Sequence, residues 1–300
     1  LPELYGFDVH APIFKIEKKI PYEEACKTVI EMFEGFDSRF GNYARDMLEA
    51  GRVDAFPKAG KRGGAFCSSS YNKKTRILLN YTASFDSTKT IAHEFGHAFH
   101  SFYSFKHQPL MYTNYSTPVA EVASTFFENF VQDKLMATLK GREKVVALCD
   151  SLGSSISAIF RQIACFEMEC DIHAEVKNTG MITGDKLQEF HNKHMAGYLG
   201  PVFEFEKVDG LMTYRWPHIR DFFYVFSYAF GELVSKALYG LYKKDSSFLE
   251  KVKDFMRAGG NGTAEEIFAK AGIDVTDPKF FEEGLKHIES QIKELEQLVK

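Results

Sequence analysis

The sequence lacks paired cysteines, long apolar runs and a large excess of charge of either sign. Its five cysteines include no CxxC pair, so reduced thiols in a cytoplasmic protein are expected rather than a disulfide scaffold. No apolar run approaches the roughly 18 residues of a membrane-spanning helix, and the start shows no signal-peptide pattern. The net charge of −4 offers no basic surface for a nucleic acid. From these absences we expect a protein with neither a membrane nor a nucleic acid as its partner.

What the sequence has in abundance is aromatic side chains on helical patterns. Of its 300 residues 45% are hydrophobic, and 29 are Phe, which favours an aromatic-rich helical core. The length is sufficient for a sizeable core and by itself allows one large domain or two small ones, and of these we expect residues 1–300 to form a single domain. Apolar periodicity predicts helices at 21–34, 38–50, 87–104, 118–138, 141–178, from 183, at 219–243 and from 278. Asp86 or Ser87 can cap the third of these, and the last is expected to open with Asp277 as its cap and Pro278 in its first turn.

One segment has the pattern of strands instead. A turn-rich stretch at 59–64 precedes two β-type runs at 65–70 and 75–82, which four polar residues separate. This pattern predicts an antiparallel hairpin. The expected fold class is therefore mainly α with a small antiparallel β-hairpin or sheet.

The central motif is His93-Glu94-Phe95-Gly96-His97, an HExxH sequence within a predicted helix. Residues four apart lie on the same helical face, so His93 and His97 can direct both imidazoles at one zinc ion. Glu94 lies beside the open coordination position. There it can take a proton from an activated water and deliver it to the leaving amine. The alternative is a helix whose histidines are only hydrogen-bonded. His100, one turn further, could be a fourth ligand, but a structural role is favoured for it.

A catalytic zinc site needs a third protein ligand and a vacant position. Glu121 is the candidate, because small and apolar residues flank it and an unpaired carboxylate would be costly there. Glu128 lies two turns further on the same face and is suited to hydrogen-bond a ligand histidine. A capping or solvated role for Glu121, and an ordinary salt bridge for Glu128, stay open.

These motifs resemble those of the oligoendopeptidase F branch of the thimet oligopeptidase family. The resemblance rests on residues 93–97, 119–124 and 127–129 and extends over most of the chain, through 60–66, 78–81, 161–167, 216–219 and 223–229. It implies a zincin-like helical catalytic domain with one zinc ion per chain, and an endopeptidase acting on short unfolded peptides. Family members are about twice as long, so this chain is expected to be the zinc-bearing half without the family's N-terminal helical half.

The resemblance also suggests further site residues. His218 and Tyr224 stand where the family has a His and a Tyr, which implies that they donate hydrogen bonds to the oxyanion. Tyr228 is one turn from Tyr224 and could share its face. Gly63 and Gly64, in the turn before the hairpin, would let a peptide backbone approach closely. Core aromatics and a plain tight turn are the respective alternatives.

Other interpretations of the whole chain remain open at this point. A catalytically silent fragment that binds zinc and peptide, and a carboxypeptidase-type exopeptidase, both retain the metal. A helical interaction module with a chance HExxH motif would bind none. The sequence does not indicate the oligomeric state or the preferred peptide sequence.

Overall fold

The protein is mainly helical with small sheets, which confirms the predicted fold class. The computed structural model describes residues 4–11, 16, 18–70, 72–220 and 222–300. Its α-helices are α1 Tyr22–Phe36, α2 Ser38–Glu49, α3 Phe85–His107, α4 Thr117–Met136, α5 Gly141–Ile156, α6 Gln162–Thr179, α7 Gly184–Leu199, α8 Met212–Arg215, α9 Phe226–Lys244, α10 Leu249–Ala258, α11 Ala264–Lys270 and α12 Pro278–Leu298. Its strands are β1 Leu4–Tyr5, β2 Val53–Asp54, β3 Phe66–Ser69, β4 Thr75–Leu78 and β5 Phe203–Glu204. None of these helices combines the length and apolar character needed to cross a membrane.

The chain divides into two compact units. Unit 1 comprises Leu1–Lys15 and Asp150–Phe230, and unit 2 comprises Ile16–Cys149 and Gly231–Lys300. The second and third points of division fall within α5 and α9. The expectation of a single catalytic domain stays a prediction.

Unit 2 contains the predicted hairpin. Strand β3 pairs with β4 in antiparallel register, with Cys67 opposite Ile77. Strand β2, which the sequence analysis did not predict, joins β4 in parallel on its other side. The hairpin is therefore two strands of a three-stranded sheet that precedes α3.

The core of unit 2 is built from aromatic side chains of α1, α3 and α4. The fully buried Phe33 meets Phe99 edge to face at 4.7 Å between ring centroids, and Phe127 in the same way at 5.6 Å. Such contacts are favourable beyond the area they bury. This core positions α3 against α4.

Unit 1 has its own smaller core between α6 and α7. Cys165 and Met195 are buried there with Ala164 and Val225, and the rings of Phe166, Tyr198, Phe205 and Trp216 pack around them. The predicted helix over 141–178 is interrupted by a π-helical turn at Ser157–Arg161. Strands β1 and β5 form a second, parallel pair in this unit.

Two predicted helix starts were wrong. Helix α3 begins earlier because Ser84, rather than Asp86 or Ser87, accepts the capping hydrogen bond from the Ser87 amide. Helix α9 begins at Phe226 rather than near 219, because Phe222 and Phe223 have positive φ angles of 43° and 56°. Apolar periodicity did not reveal either boundary.

Candidate metal centre

Three side chains from α3 and α4 converge in unit 2. The ligand-type atoms of His93, His97 and Glu121 all lie within 4.8 Å of one another. Oε2 of Glu121 is 3.4 Å from Nε2 of His93 and 3.8 Å from Nε2 of His97. The structure therefore brings together the two histidines of the motif and the carboxylate predicted as the third ligand.

Close packing of the two helices makes this convergence possible. Gly96, between the two histidines on α3, lies against the backbone of Ala123 and Ser124 on α4. A side chain at that position would separate the helices. The glycine of the motif thus sets the distance from which Glu121 reaches the imidazoles.

Glu128 contacts one of the histidines. Its Oε2 lies 2.9 Å from Nδ1 of His93, as the sequence predicts for this carboxylate. An ionised carboxylate only accepts, so Nδ1 carries a proton and donates it, and in the neutral ring that binds a metal this leaves the lone pair on Nε2. That nitrogen is the one that faces Glu121.

The electrostatics of these groups follow from burial and from each other's charges. Burial alone would lower the pKa of His93, but hydrogen bonds to Glu121 and Glu128 outweigh it and raise that pKa. Burial, with His93 beside it, lowers the pKa of His97 to about 4. Burial would raise the pKa of Glu128, but the hydrogen bond to His93 and the charge of Lys89 bring it down to about 2. Burial would also raise the pKa of Glu121, but the hydrogen bond to His93 lowers it. Two ionised carboxylates thus lie beside the imidazoles, an arrangement that favours a cation.

Glu94 is the remaining polar side chain of the motif. It is only 4% exposed, and its Oε2 has no hydrogen-bond partner among the described residues. Burial raises its pKa to about 7, with the nearby Glu121 and Glu128 acting in the same direction and His93 against it. A carboxylate with a pKa near neutrality is suited to accept and return a proton.

The donor set fits a zinc ion. Two imidazole nitrogens and one carboxylate oxygen are a common ligand set of catalytic zinc, and they leave a coordination position open. The unpartnered Oε2 of Glu94 is the group expected beside such a position. The hydrogen bond from His93 to Glu128 is the outer support that metal-bound histidines usually have.

The other predicted catalytic residues form a cluster in unit 1. The hydroxyl of Tyr228 lies 3.1 Å from Nε2 of His218. The ring of Tyr224 stacks on His218 with centroids 5.3 Å apart. Tyr224 lies before the start of α9, so it does not share a helical face with Tyr228 as the spacing predicted, but the two rings meet edge to face with centroids 5.5 Å apart.

The two predicted substrate-binding glycines lie in the turn before β3. Gly64 has a φ of 78°, which favours glycine, and a Cβ on either Gly63 or Gly64 would meet no atom within 4 Å. The side-chain amide of Asn80 donates to the carbonyls of Arg62, at 2.9 Å, and Gly64, at 2.8 Å. Asn80 therefore holds the backbone of this turn in place.

The structure also places residues that the sequence analysis left without a role. His100 is fully buried and stacks on Tyr115, with ring centroids 3.5 Å apart, which agrees with the structural role favoured for it. The Tyr115 hydroxyl donates to the carbonyl of His97 at 3.4 Å. Lys89, one turn before His93, lies 3.6 Å from Glu128. The sequence shows that a lysine precedes the motif by one helical turn. Its contact with Glu128 on α4 can be recognised only from the three-dimensional structure.

Comparison with known proteins identifies the family of this chain. Residues 8–287 match the model of peptidase family M3. The chain is 31% identical to the oligopeptidase PepF of Bacillus subtilis, over 100% of this chain and 45% of that protein. It is 30% identical to an oligoendopeptidase F homolog of Borreliella burgdorferi, over 98% of this chain and 51% of that protein. The chain thus spans about half the length of these relatives.

Solved structures share the fold. A crystal structure of a Chlamydophila abortus protein superposes with a TM-score of 0.83 at 28% identity, covering 99% of this chain and 50% of that one. The oligoendopeptidase F of Enterococcus faecium superposes with a TM-score of 0.69 at 22% identity, covering 100% of this chain and 47% of that one. With a family match along most of its length and oligoendopeptidase F homologues as its relatives, the chain belongs to peptidase family M3.

Proposed function

We propose that this chain carries the catalytic centre of a zinc-dependent endopeptidase that hydrolyses short peptides. The observation that carries the proposal is the convergence of His93, His97 and Glu121, with the unpartnered carboxylate of Glu94 beside them. Family membership supplies the reaction class, which is hydrolysis of a peptide bond. One zinc ion per chain is held by the two imidazoles and the Glu121 carboxylate.

Each residue of the metal centre in unit 2 has a defined role in this proposal. Zinc bound there supplies a Lewis acid that polarises a carbonyl and lowers the pKa of a water molecule toward neutrality. Glu94 takes the proton of the attacking water through Oε2 and passes it to the leaving amine. Glu128 keeps the Nδ1 proton of His93 in place, which fixes the tautomer and the ring.

His218 and Tyr224 are proposed as donors to the oxyanion. The support is the resemblance of residues 216–229 to the family, together with the clustering of the two rings in unit 1. Tyr228 is assigned a supporting catalytic role, because its hydroxyl hydrogen-bonds to Nε2 of His218.

The substrate is proposed to be a short unfolded peptide in the cytoplasm. The names of the relatives, oligopeptidase and oligoendopeptidase, describe those proteins, and their family membership is shared by this chain. We propose that Gly63 and Gly64 admit the peptide backbone next to β3, whose pairing with an extended chain requires little sequence selectivity. Because the chain spans about half of its relatives, its activity in isolation is part of the proposal.

Cleavage of an internally quenched fluorescent peptide with blocked ends tests this function. Purified chain loaded with one equivalent of zinc is expected to cleave it, and a chelator is expected to abolish cleavage reversibly. Glu94→Gln should retain zinc and lose activity by several orders of magnitude, because only the proton acceptor is removed. Glu121→Gln should lose both zinc and activity, whereas Glu31→Gln, at an exposed position on α1, should change neither.

The possible results separate the alternatives. Zinc binding without cleavage of any peptide length would contradict the proposal in favour of a silent binding fragment. Cleavage only of peptides with a free carboxyl end would show an exopeptidase. Purified chain that binds no zinc would favour a helical interaction module.

A further inference from the structure

We infer that Lys89 is a positioning residue for the metal centre: it holds the Glu128 carboxylate in the orientation in which Glu128 accepts from His93. The inference rests on the proposed function, because it concerns the same zinc site. It adds a lysine that the HExxH motif does not include.

The two oxygens of Glu128 are divided between two residues of α3. Oε2 lies 2.9 Å from Nδ1 of His93, and Oε1 lies 3.6 Å from Nζ of Lys89. Lys89 and His93 are one helical turn apart, so both reach the same carboxylate on α4 from one face of α3. Each carboxylate oxygen of Glu128 thereby has its own partner. Rotation about the terminal bonds of the Glu128 side chain would break one of the two contacts.

Charge explains why the carboxylate needs this lysine. A histidine that binds zinc is neutral, so it can donate a hydrogen bond to Glu128 but carries no charge to compensate that partly buried carboxylate. Burial would lower the pKa of Lys89, but the charges of Glu128 and Asp86 raise it, and the ammonium group stays charged at neutral pH. Lys89 is therefore a permanent counter-ion for Glu128.

The other charged groups nearby have partners or solvent of their own, so Lys89 is the main counter-ion of Glu128. Lys236, a second lysine whose charge acts on Glu128, forms an ion pair with Glu232 at 3.2 Å and donates to Asn129 at 3.3 Å. Asp86, the second partner of Lys89 at 3.2 Å, has a side chain that is 74% exposed, so it is well solvated. The contact with Glu128 is the less solvated of the two, because the side chains of Lys89 and Glu128 are only 11% and 24% exposed.

Zinc affinity, measured by competition with a chromophoric chelator, tests the inference on the full chain. Lys89→Met retains the aliphatic stem and removes the charge, and it is expected to weaken zinc binding about tenfold, within the range typical of groups that support metal ligands. Lys89→Arg is expected to restore most of that loss. Lys27→Met, at an exposed position, and Asp86→Asn should change the affinity less than twofold.

A double-mutant cycle distinguishes positioning from a general loss of structure. In a Glu128→Gln background, Lys89→Met should weaken zinc binding no further, since the carboxylate that it orients is gone. Equal zinc affinity in wild type and Lys89→Met would overturn the inference while leaving the proposed function intact. A tenfold loss that persists in the Glu128→Gln background would also overturn it. Wild-type protein without zinc affinity would overturn both.

Discussion

Gly96 lies so close to Ser124 that a Cβ on the glycine would stand 2.5 Å from the Cα of Ser124 and 2.8 Å from the carbonyl oxygen of Ala123. Both atoms belong to the backbone of α4, so they cannot move aside as the end of a flexible side chain can. The contact defines the distance between α3 and α4 at the level of the two histidines. The motif therefore contains both the ligands and the residue that lets the second helix deliver its own ligand.

Gly96→Ala is expected to separate α3 from α4 and to weaken both folding and metal binding. Overpacking against backbone should lower the free energy of unfolding by about 2 kcal/mol or more. Zinc affinity should fall at least tenfold, because Glu121 is carried away from His93. Urea unfolding of metal-free protein and a zinc competition titration measure the two effects.

Gly240→Ala is the matched control for this change. Gly240 is also in a helix interior, α9, but a Cβ there meets no atom within 4 Å. Alanine should therefore stabilise the protein by roughly 0.5–1 kcal/mol through helix propensity and leave zinc affinity unchanged. If Gly96→Ala behaved like this control, the assigned role of the close contact would be wrong.

Protonation of His287 is expected to make stability depend on pH. Burial, followed by the charges of Lys236 and Lys243 on α9, lowers its pKa to about 4, whereas an unfolded histidine titrates near ~6.5. The ring of His287 meets the ring of Tyr239 edge to face, with centroids 5.2 Å apart. Lys243 in turn forms an ion pair with Asp133 on α4, with Nζ 3.6 Å from Oδ2. Below pH ~6.5 the unfolded chain binds a proton that the folded chain does not. The contribution of the neutral His287 to the free energy of unfolding is therefore fully present above pH ~6.5. It is lost as the pH falls toward about 4.

The expected size of this effect is about 2 kcal/mol, after allowance for the partial exposure of the ring. Urea unfolding of wild type and His287→Gln at pH 7 and pH 4.5, with metal removed, measures it as the difference between the two proteins. His173→Gln, at an exposed position, should leave the wild-type pH dependence unchanged. Parallel curves for wild type and His287→Gln would contradict the prediction.

Tyr228→Phe tests the cluster in unit 1. Loss of the hydroxyl 3.1 Å from Nε2 of His218 should lower kcat about tenfold with little change in KM, because the histidine loses its orientation. Tyr224→Phe should cost more, about 10²–10³ in kcat, if its hydroxyl stabilises the oxyanion. Steady-state kinetics on the fluorescent peptide give both values. Tyr43→Phe, on α2, is the control, and equal kinetics for all three variants would exclude the cluster from catalysis.

Asn80→Ala is expected to loosen the turn that contains Gly63 and Gly64. The change removes the hydrogen bonds that Asn80 donates to the carbonyls of Arg62 and Gly64. KM for the peptide should rise several-fold at nearly constant kcat, since the turn is proposed to bind substrate and not to react with it.

Limited trypsin digestion gives a second readout of the same change. Lys61 and Arg62 precede Gly63, so cleavage there should be faster in Asn80→Ala than in wild type. Asn72→Ala, at the other end of the hairpin, where Asn72 accepts from the Lys74 amide, should leave both KM and this cleavage unchanged. A faster cleavage with unaltered KM would remove the turn from substrate binding.

Local patterns predicted the elements that depend on neighbouring residues. The cap Asp277 and the first-turn Pro278 of α12 were read correctly, since capping involves residues only a few positions apart. The start of α9 was not, because the positive φ angles of Phe222 and Phe223 leave no mark in apolar periodicity. Strand β2 was missed because two residues are too few for an alternating pattern.

The sequence by itself determined that His93 and His97 share one face of a helix with Glu94 beside them, because spacing along a helix is a local property. For the carboxylates the sequence left alternatives open, and only the tertiary structure decided that Glu121 and Glu128 meet these histidines. Glu121 and Glu128 are both acidic residues on α4, and their separate positions, one at Nε2 and one at Nδ1 of His93, follow from how closely α4 packs on α3. The position of Lys89 behind Glu128 was decided in the same way, since it depends on a contact between two helices and not on the order of residues within either one.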